Sequence, residues 1–505
     1  MDNLIIVGIY PDQIPSYEST DKSSLSILKD EINDLLPNEV ALHILPFYET
    51  CGDGGFAISN WDVVDDTFGA WSDIESIANE RMVIIDGVFN HIGMEHKLVK
   101  LLIEDPQTYA PLFHVNPYEG INSPRGVTSN YDMDTTRGII RVRKTHTNAA
   151  LDVNLEHHYI QGYINDFLKA SSKRNIYGIR LDAVAYYKKG TQIRHNKGSY
   201  QLAETIARIA KKHKLNVIAQ IDCDVDGRKY YSKTDFSDVA IYDFGYSAAL
   251  SLAFFEGQPQ ALVQFLQINQ NVKRPLVRAP RTHDGILLRT RNLTPNQIDR
   301  LIAEAGKIGI SVREANGIPY ELNCSMPFLL QQISSSKFHT LLEMTIMITG
   351  ILNSIPYFYF PYMVGYIPED HLGIDKLNKR FDKEDCRTLN RIPIYNWDQL
   401  KTGVFVKNRL PYIFKILTEI HNMYGEDLIK HEASFSVSKN RLMMIETANG
   451  AVNGIFNFSD SPCNMDLKKI PCDYLVYENC SSNDTIESYG YYIWIKPKQI
   501  LQTGY

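Results

Sequence analysis

Short apolar runs alternate with longer amphipathic stretches along most of the chain. Eight runs have the length and the β-branched content of buried strands. They are Leu4–Tyr10, Val40–Phe47, Met82–Phe89, Tyr177–Val184, Val217–Ile221, Val239–Phe244, Leu276–Ala279 and Ile355–Phe360. Between them, stretches such as 24–36 and 201–215 place apolar residues on one helical face. This order predicts an α/β fold, a (β/α)8 TIM barrel, with an open doubly wound sheet as the alternative.

Two segments interrupt the alternation, and the pattern changes again near the C-terminus. Residues 92–160, after the third strand, have weak periodicity and predict an inserted domain. Residues 287–345 predict a second, irregular insertion within the barrel. Short alternating runs over 432–505 predict an all-β C-terminal domain. The barrel is then assigned to residues 1–91 and 161–431.

Composition narrows the class of protein. The chain has 505 residues, 44% hydrophobic and 22% charged, with a net charge of −7, which argues against a binder of nucleic acid or of acidic membranes. Its seven cysteines are an odd number without a CxxC pair, which is typical of reduced thiols. The first residues read as a strand rather than as a signal peptide, and no run has the length of a membrane span. A cytoplasmic protein is therefore expected.

Polar residues with catalytic chemistry recur where the predicted strands end, which in a barrel is the face that carries function. They are Asp53 and Phe56 after the second strand, Asp86, Asn90 and His91 after the third, Arg180 and Asp182 on the fourth, Gln220 and Asp222 on the fifth, and His283 and Asp284 after the seventh. A single acid at a strand end is usually a helix cap or half of an ion pair. Acids at several strand ends, with His and Arg beside them, predict an active site.

These residues carry a resemblance to a known family. Four ordered motifs resemble those of the α-amylase superfamily (glycoside hydrolase family 13): "DGVFNH" (86–91), "GIRLDAV" (178–184), the strand end at Gln220 and "THDG" (282–285). Further segments are similar to the sucrose phosphorylase branch of that family: "LPFYETCGDGGF" (45–56), "FGAW" (68–71), "THDGI" (282–286) and "RTLNR" (387–391).

The resemblance implies a retaining double displacement on an α-glucoside. Asp182 would be the nucleophile, residue 220 the general acid and base, and Asp284 the carboxylate that holds the 2- and 3-hydroxyls of glucose. Arg180 would keep the nucleophile ionised, and Asp53 would pair with Arg391 to close the pocket. The implied glucose-binding set is Asp53, Phe56, His91, Arg180, Tyr186, His283 and Arg391.

The position of the acid and base is occupied by Gln220. An amide has no proton to donate, and general acid–base catalysis contributes about 10²–10⁴-fold. We therefore expect strongly reduced turnover with substrate binding retained, and we favour a Glu-to-Gln change that inactivates an enzyme. The alternatives are a natural sugar-binding protein without activity, and Asp222 or Asp224 acting as a displaced acid.

The acceptor is less well specified than glucose. Arg125 and Tyr320 are candidates for binding phosphate, whereas Asp222 and Glu321 would oppose a dianion if they were ionised and close to it. The resemblance implies that sucrose and phosphate give α-glucose 1-phosphate and fructose. Alternatives are phosphorolysis of glucosylglycerol, glucosylglycerate or sucrose 6′-phosphate, or hydrolysis and transglucosylation. Metal and other cofactors are not expected, the expected partners are these small molecules and glucose, and a homodimer fits the family.

Overall fold

The structure is a computed structural model. It describes residues 1, 3–15, 22–115, 130–189, 197–221, 239–270, 275–288, 293–315, 317–368, 388–464, 474–479 and 485–497.

Eight parallel strands close into a barrel in which each strand pairs with its neighbours in chain order and the first pairs with the last. The strands are Ile6–Ile9, Ala41–Ile44, Val83–Gly87, Gly178–Leu181, Asn216–Ala219, Ala240–Tyr242, Leu276–Arg278 and Ile355–Tyr359. Each lies within or one residue beyond one of the eight predicted apolar runs. The TIM barrel prediction is confirmed, and the open sheet is excluded by the pairing of Ile6 with Tyr357.

Alternate residues of the strands fill the interior of the barrel. One cluster of buried side chains draws a residue or two from most strands, for example Ile6, Ala41, Ile84 and Ile218. Their strand neighbours belong to the larger cluster that includes the surrounding helices. Strands that are buried on both faces favour β-branched residues, which explains why the strand segments read as continuous apolar runs. The polar side chains that follow the strands are thereby left at the mouth of the barrel.

The helices that surround the barrel and extend from it have the following bounds: Ser24–Leu35, Trp71–Ala78, Lys97–Glu104, Pro106–Tyr109, His158–Lys173, Lys197–Lys212, Gly245–Glu256, Gln260–Ile268, Pro295–Lys307, Met326–Ile333, Phe338–Gly350, Phe360–Met363, Trp397–Thr402 and Leu410–Lys430. A π-helical turn, Phe405–Arg409, precedes the last of them. Short 3-10 turns lie at Asp53–Gly55, Ala110–Leu112, Val184–Tyr186, Ser335–Lys337, Thr388–Asn390 and Ala448–Gly450. Within the described part of the chain, no helix is long and apolar enough to cross a membrane.

Small antiparallel sheets lie in the loops that follow the second, third and seventh barrel strands. Tyr48–Thr50 pairs with Ile58–Val64, His91–Gly93 with Ala150–Asp152, and Asn130–Thr135 with Gly138–Arg143. The strand Ile318–Asn323 lies between Ile286–Leu287 and Ser311–Ala315. These sheets connect the inserted segments directly to the loops that surround the mouth.

The C-terminal part is all-β, as predicted. Five antiparallel strands form one sheet in the order Ser434–Val437, Met443–Thr447, Val452–Phe456, Tyr491–Ile495 and Leu475–Glu478. A separate pair consists of Cys463–Asn464 and Thr485–Ile486. The sheet packs on the barrel helices, where the Tyr491 hydroxyl donates to Glu343 Oε1 at 2.5 Å and Thr447 Oγ1 donates to the carbonyl of Ile351 at 3.1 Å.

Candidate active site

One cavity at the carboxyl ends of the strands collects most of the predicted site residues. It holds about 470 Å³ of unfilled space, its open mouth included. The side chains or backbone of twelve residues line it: Asp53, Phe56, His91, His146, Asp182, Ala183, Ala185, Tyr186, Gln220, His283, Asp284 and Arg391. The third, fourth, fifth and seventh strands end at this face because all barrel strands are parallel, so residues far apart in sequence become neighbours.

A buried arginine lies between two carboxylates beneath the cavity. Nη1 of Arg180 is 3.0 Å from Oδ1 of Asp182 and also contacts Asp86. Asp86 accepts a second contact, at 3.0 Å, from Nε2 of His43. Burial opposes the charge on Asp86, but Arg180 and His43 outweigh it and lower its pKa to about 2. Arg180 therefore stabilises the negative charge of Asp182, the form that a nucleophile needs.

Gln220 is held next to Asp182 by the backbone. Its Oε1 accepts a hydrogen bond from the Ala183 N–H at 3.0 Å, and its carbonyl accepts one from the Val184 N–H at 3.1 Å. The fourth and fifth strands are paired up to Leu181 and Ala219, one residue before Asp182 and Gln220. Neighbouring strands lie about 4.8 Å apart, so the two side chains start from adjacent positions.

The backbone after Asp182 adopts a conformation that non-glycine residues seldom take. Ala183 has φ = 50°, in the left-handed region, and the 3-10 turn Val184–Tyr186 follows it. An L-residue pays about 1–2 kcal/mol for this conformation. Residue 183 thus turns the chain sharply and points its N–H at Gln220, and the turn brings Tyr186 to the wall of the cavity.

A second arginine joins two other carboxylates on the opposite wall. Nη2 of Arg391 is 2.7 Å from Oδ1 of Asp284, and Nη1 is 3.7 Å from Oδ1 of Asp53 and 3.0 Å from the Asp53 carbonyl. The predicted Asp53–Arg391 pair is present, and the shorter contact is with Asp284. Gly54, with φ = 62°, makes room for the guanidinium, because a Cβ there would lie 2.4 Å from Arg391 Nη1.

Aromatic and imidazole rings complete the walls. Phe56 stacks on His283 with ring centroids 5.3 Å apart and an interplanar angle of 13°, so one face of Phe56 is covered by His283. His91 stacks on His146 at 4.8 Å, and its Nε2 lies 3.1 Å from the Phe56 carbonyl. Burial lowers the pKa of His283 to about 3 and also lowers the pKa of His91. Both rings are neutral near pH 7. A neutral imidazole can donate one hydrogen bond and accept another, and in His91 both ring nitrogens contact protein groups, Asn90 and the Phe56 carbonyl.

A buried lysine supports the loop of His91. Nζ of Lys189 lies 3.2 Å from Oδ2 of Asp152 and 3.0 Å from Oδ1 of Asn90, and burial lowers its pKa. Asn90 in turn contacts Nδ1 of His91 at 3.3 Å. The ammonium thus links the third-strand loop to the inserted strand Ala150–Asp152. Among the described residues, no cluster of three or more His, Cys, Asp and Glu has the arrangement of a metal site.

The residues predicted for the acceptor have a different placement. Arg125 and Asp222 lie outside the described residues. Tyr320 and Glu321 are buried, at 3% exposed each, on the strand Ile318–Asn323, and neither is among the residues that line the cavity. Glu321 accepts a hydrogen bond from the N–H of Gly285 and lies 3.6 Å from Nη1 of Arg313. Glu321 thus stabilises the loop that carries Asp284, on the side of the loop away from the cavity.

Sequence reasoning missed His146, whose ring lies 4.9 Å from that of Tyr186 in an edge contact. This histidine belongs to the inserted segment, where periodicity is weak. A sequence signal is the short, mostly apolar segment Ala149–Val153, which begins three residues after His146 and contains the strand Ala150–Asp152 that pairs with His91–Gly93. Reading that run as a strand would have placed His146 near the mouth.

Comparison with known proteins agrees with this geometry. The family model described as "Alpha amylase, catalytic domain" matches residues 38–233, which include the second to fifth barrel strands with Asp182 and Gln220. This segment of the chain is similar to the catalytic domain of the α-amylases. The barrel, its insertions and the C-terminal sheet together resemble a solved structure, the sucrose 6F-phosphate phosphorylase from Thermoanaerobacter thermosaccharolyticum, with a TM-score of 0.73 at 16% identity over 90% of this chain and 96% of the other.

Several curated proteins that this chain resembles are named phosphorylases. A glucosylglycerate phosphorylase from Spirochaeta thermophila is 24% identical over 56% of this chain and 51% of its own length. A sucrose phosphorylase from Agrobacterium vitis is 23% identical over 56% of this chain and 64% of its own length. The chain thus spans about half to two thirds of the length of these relatives.

Proposed function

We propose that this chain is a retaining α-glucosyl transferase of the sucrose phosphorylase type, which moves glucose from sucrose to phosphate through a glucosyl-Asp182 intermediate. One observation carries the proposal: the carboxylate of Asp182, paired with Arg180, faces a cavity that Gln220 and Asp284 also line. The phosphorylase names of the curated relatives favour phosphate as the acceptor.

In the first step, Asp182 attacks C1 of glucose and displaces the rest of the glucoside. Retaining enzymes need about 5–5.5 Å between the nucleophile and the acid, and side chains from adjacent strands supply this spacing. Asp284 would hold the 2- and 3-hydroxyls and stabilise the developing positive charge at C1. In the second step, phosphate attacks C1 from the face that the leaving group vacated, and the α-configuration is restored.

The wall formed by Asp53, Arg391 and Asp284 would leave room for a single glucose unit on the Asp182 side of the bond that is cleaved. Its ion pairs close the end of the cavity, and Gly52–Gly55 hold Asp53 in place. The neutral His283 would exchange hydrogen bonds with glucose hydroxyls, and His91, whose two ring nitrogens contact Asn90 and Phe56, would form part of the wall. This arrangement favours small glucosides over polymers.

Gln220 would reduce turnover on any glucoside whose leaving group is an alcohol. Such a group needs a proton as the bond to C1 breaks, and an amide cannot supply it. The expected loss is about 10²–10⁴-fold relative to glutamate at the same position. The amide keeps the size of glutamate and its hydrogen bond to Ala183, so binding of the substrate would be retained.

The test is Gln220→Glu, assayed for release of glucose, fructose and α-glucose 1-phosphate with and without phosphate. The substrates are sucrose, sucrose 6′-phosphate, glucosylglycerol and glucosylglycerate. We expect phosphate-dependent cleavage of sucrose, about 10²–10⁴-fold faster than in the unaltered chain. The matched control is Gln220→Glu combined with Asp182→Asn, which should abolish the gain.

Three results would change the proposal. Cleavage without any need for phosphate would make the protein a hydrolase or transglucosidase. Preference for another glucoside would move it to the glucosylglycerate or glucosylglycerol group named by its relatives. Binding of glucosides without cleavage by Gln220→Glu would leave only a sugar-binding role.

A further inference from the structure

The amide of Gln220 presents a fixed chemical group to the cavity. Its Oε1 is used by the Ala183 N–H at 3.0 Å, which sets the orientation of the amide and leaves its NH₂ group for a ligand. The residue is only 9% exposed and lines the cavity. An NH₂ group can donate hydrogen bonds to an oxyanion, but it neither gives up nor takes up a proton in the accessible pH range.

The glutamine also changes the charge that an incoming anion meets. Three carboxylates line the cavity, and they share two arginines: Arg180 pairs with Asp182 and with the underlying Asp86, and Arg391 pairs with both Asp53 and Asp284. A glutamate at 220 would add a further negative charge beside C1, and the glutamine adds none. Glu321 does not face the cavity either, since it is buried against Gly285 and Arg313. Residue 220 therefore does not repel an incoming oxyanion, as an ionised glutamate at the same position would.

A glucosyl phosphate does not need the missing acid. As the monoanion it already carries a proton on its phosphate. When Asp182 attacks C1, the bond between C1 and the oxygen that bridges to phosphorus breaks. The electron pair of that bond stays on the oxygen, and hydrogen phosphate dianion leaves. One C–O bond forms to Asp182 and one breaks. In the reverse step, an oxygen of hydrogen phosphate attacks C1, the ester bond to Asp182 breaks, and the carboxylate is restored. No proton passes through residue 220 in either direction.

We infer that the chain, with Gln220 in place, is an active glucosyl exchanger for oxyanions: it transfers glucose between α-glucose 1-phosphate and inorganic phosphate although it barely cleaves glucosides of alcohols. This inference rests on the proposed function, in which Asp182 is the nucleophile. It gives Gln220 a chemical role: the residue selects donors and acceptors that react without gaining a proton from, or losing one to, the enzyme. The residue is then a determinant of specificity rather than only a defect.

The inference predicts a pH dependence set by the substrate. The second ionisation of a phosphate monoester has a pKa of about 6. Formation of glucosyl-Asp182 from α-glucose 1-phosphate should therefore slow as the pH rises through about 6 and the monoanion disappears. Cleavage of sucrose by Gln220→Glu should instead follow the ionisation of enzyme groups, with a bell-shaped profile.

The experiment uses the unaltered chain with α-glucose 1-phosphate and radiolabelled inorganic phosphate. We expect label to enter α-glucose 1-phosphate, at a rate within about tenfold of that of Gln220→Glu, whereas sucrose cleavage differs between the two by about 10²–10⁴-fold. Asp182→Asn should show no exchange. In parallel, α-glucosyl fluoride, whose fluoride leaves without a proton, should add one glucosyl unit to Asp182, detected by mass spectrometry of the intact protein and of its peptides.

The two reactions separate the inference from the proposed function. Labelling of Asp182 by the fluoride without phosphate exchange would overturn the inference and leave the proposed function standing. Absence of both reactions would overturn the proposed function itself. Formation of glucosyl-Asp182 from α-glucose 1-phosphate that accelerates as the pH rises through about 6, or sucrose cleavage by the unaltered chain as fast as by Gln220→Glu, would show that another group handles the proton, and the inference would fail.

Discussion

The two halves of the barrel mouth differ in how they are built. The side proposed to bind glucose, called the glucose side, is made of residues at or shortly after strand ends, each fixed by a contact: Asp182 by Arg180, Asp284 by Arg391, Gln220 by Ala183. The acceptor side, as far as the described residues show it, has no such set. Glu321, expected there, instead packs behind the Asp284 loop. A strand end fixes a side chain through the register of the sheet, whereas an inserted loop is free to present different residues.

This difference teaches where specificity can change within one barrel. The glucose side depends on pairs of charges that come from distant parts of the sequence, so a change in one residue leaves a partner buried and uncompensated. The acceptor side can vary without disturbing those pairs.

The largest effect is expected from Arg391, which serves both Asp53 and Asp284. In the Gln220→Glu background, Arg391→Met should lower kcat/KM for sucrose by about 10²–10³-fold, because two carboxylates lose their counter-charge beside the glucose site. Arg391→Lys is the matched control, because lysine keeps the charge but cannot reach both carboxylates. Its kcat/KM should lie between that of Arg391→Met and that of the Gln220→Glu parent. Steady-state kinetics with sucrose and phosphate measure both. An unchanged kcat/KM in Arg391→Met would contradict the proposal that the wall of Asp53, Arg391 and Asp284 contacts the bound glucose.

The barrel and the glucose side were predictable from the sequence because both follow a simple period. All eight strands were located from apolar runs, and strand ends in a parallel barrel converge, so Asp182, Gln220, His283 and Asp284 could be placed together before the structure was known. Their catalytic roles stay predictions.

Contacts made by loops could not be predicted in the same way. His146, from the inserted segment, lines the cavity although no periodic pattern pointed to it. Lys189 is likewise buried in an ion pair with Asp152. Such contacts depend on how a loop folds back in three dimensions. A period of two or 3.6 residues holds no information about that.

An intermediate effect is expected at Glu321, and it tests the boundary between the two halves. Glu321→Ala, in the Gln220→Glu background, removes the acceptor for the Gly285 N–H and should lower kcat by about tenfold through movement of Asp284. Glu321→Gln keeps an oxygen acceptor and should stay within about threefold of the parent. The KM for phosphate should be unchanged in both. A lower KM for phosphate in Glu321→Gln would place this carboxylate on the acceptor side after all.

The smallest effect concerns pH and two of the three histidines that line the cavity, His91 and His283. Burial lowers the pKa of His283 to about 3 and also lowers that of His91, so His283 takes up a proton only as the pH falls towards 3. Affinity of the unaltered chain for sucrose should therefore change by less than about twofold from neutral pH down to about 5. Titration calorimetry in two buffers of different ionisation enthalpy measures the affinity and should detect no proton uptake. A histidine with the ordinary pKa of about 6.5 would instead be mostly charged at the lower pH, and affinity would fall as it gained its proton. A loss of affinity between neutral pH and about 6 would thus mean that the imidazoles are more hydrated than their burial implies, and the glucose side would be as adaptable as the acceptor side.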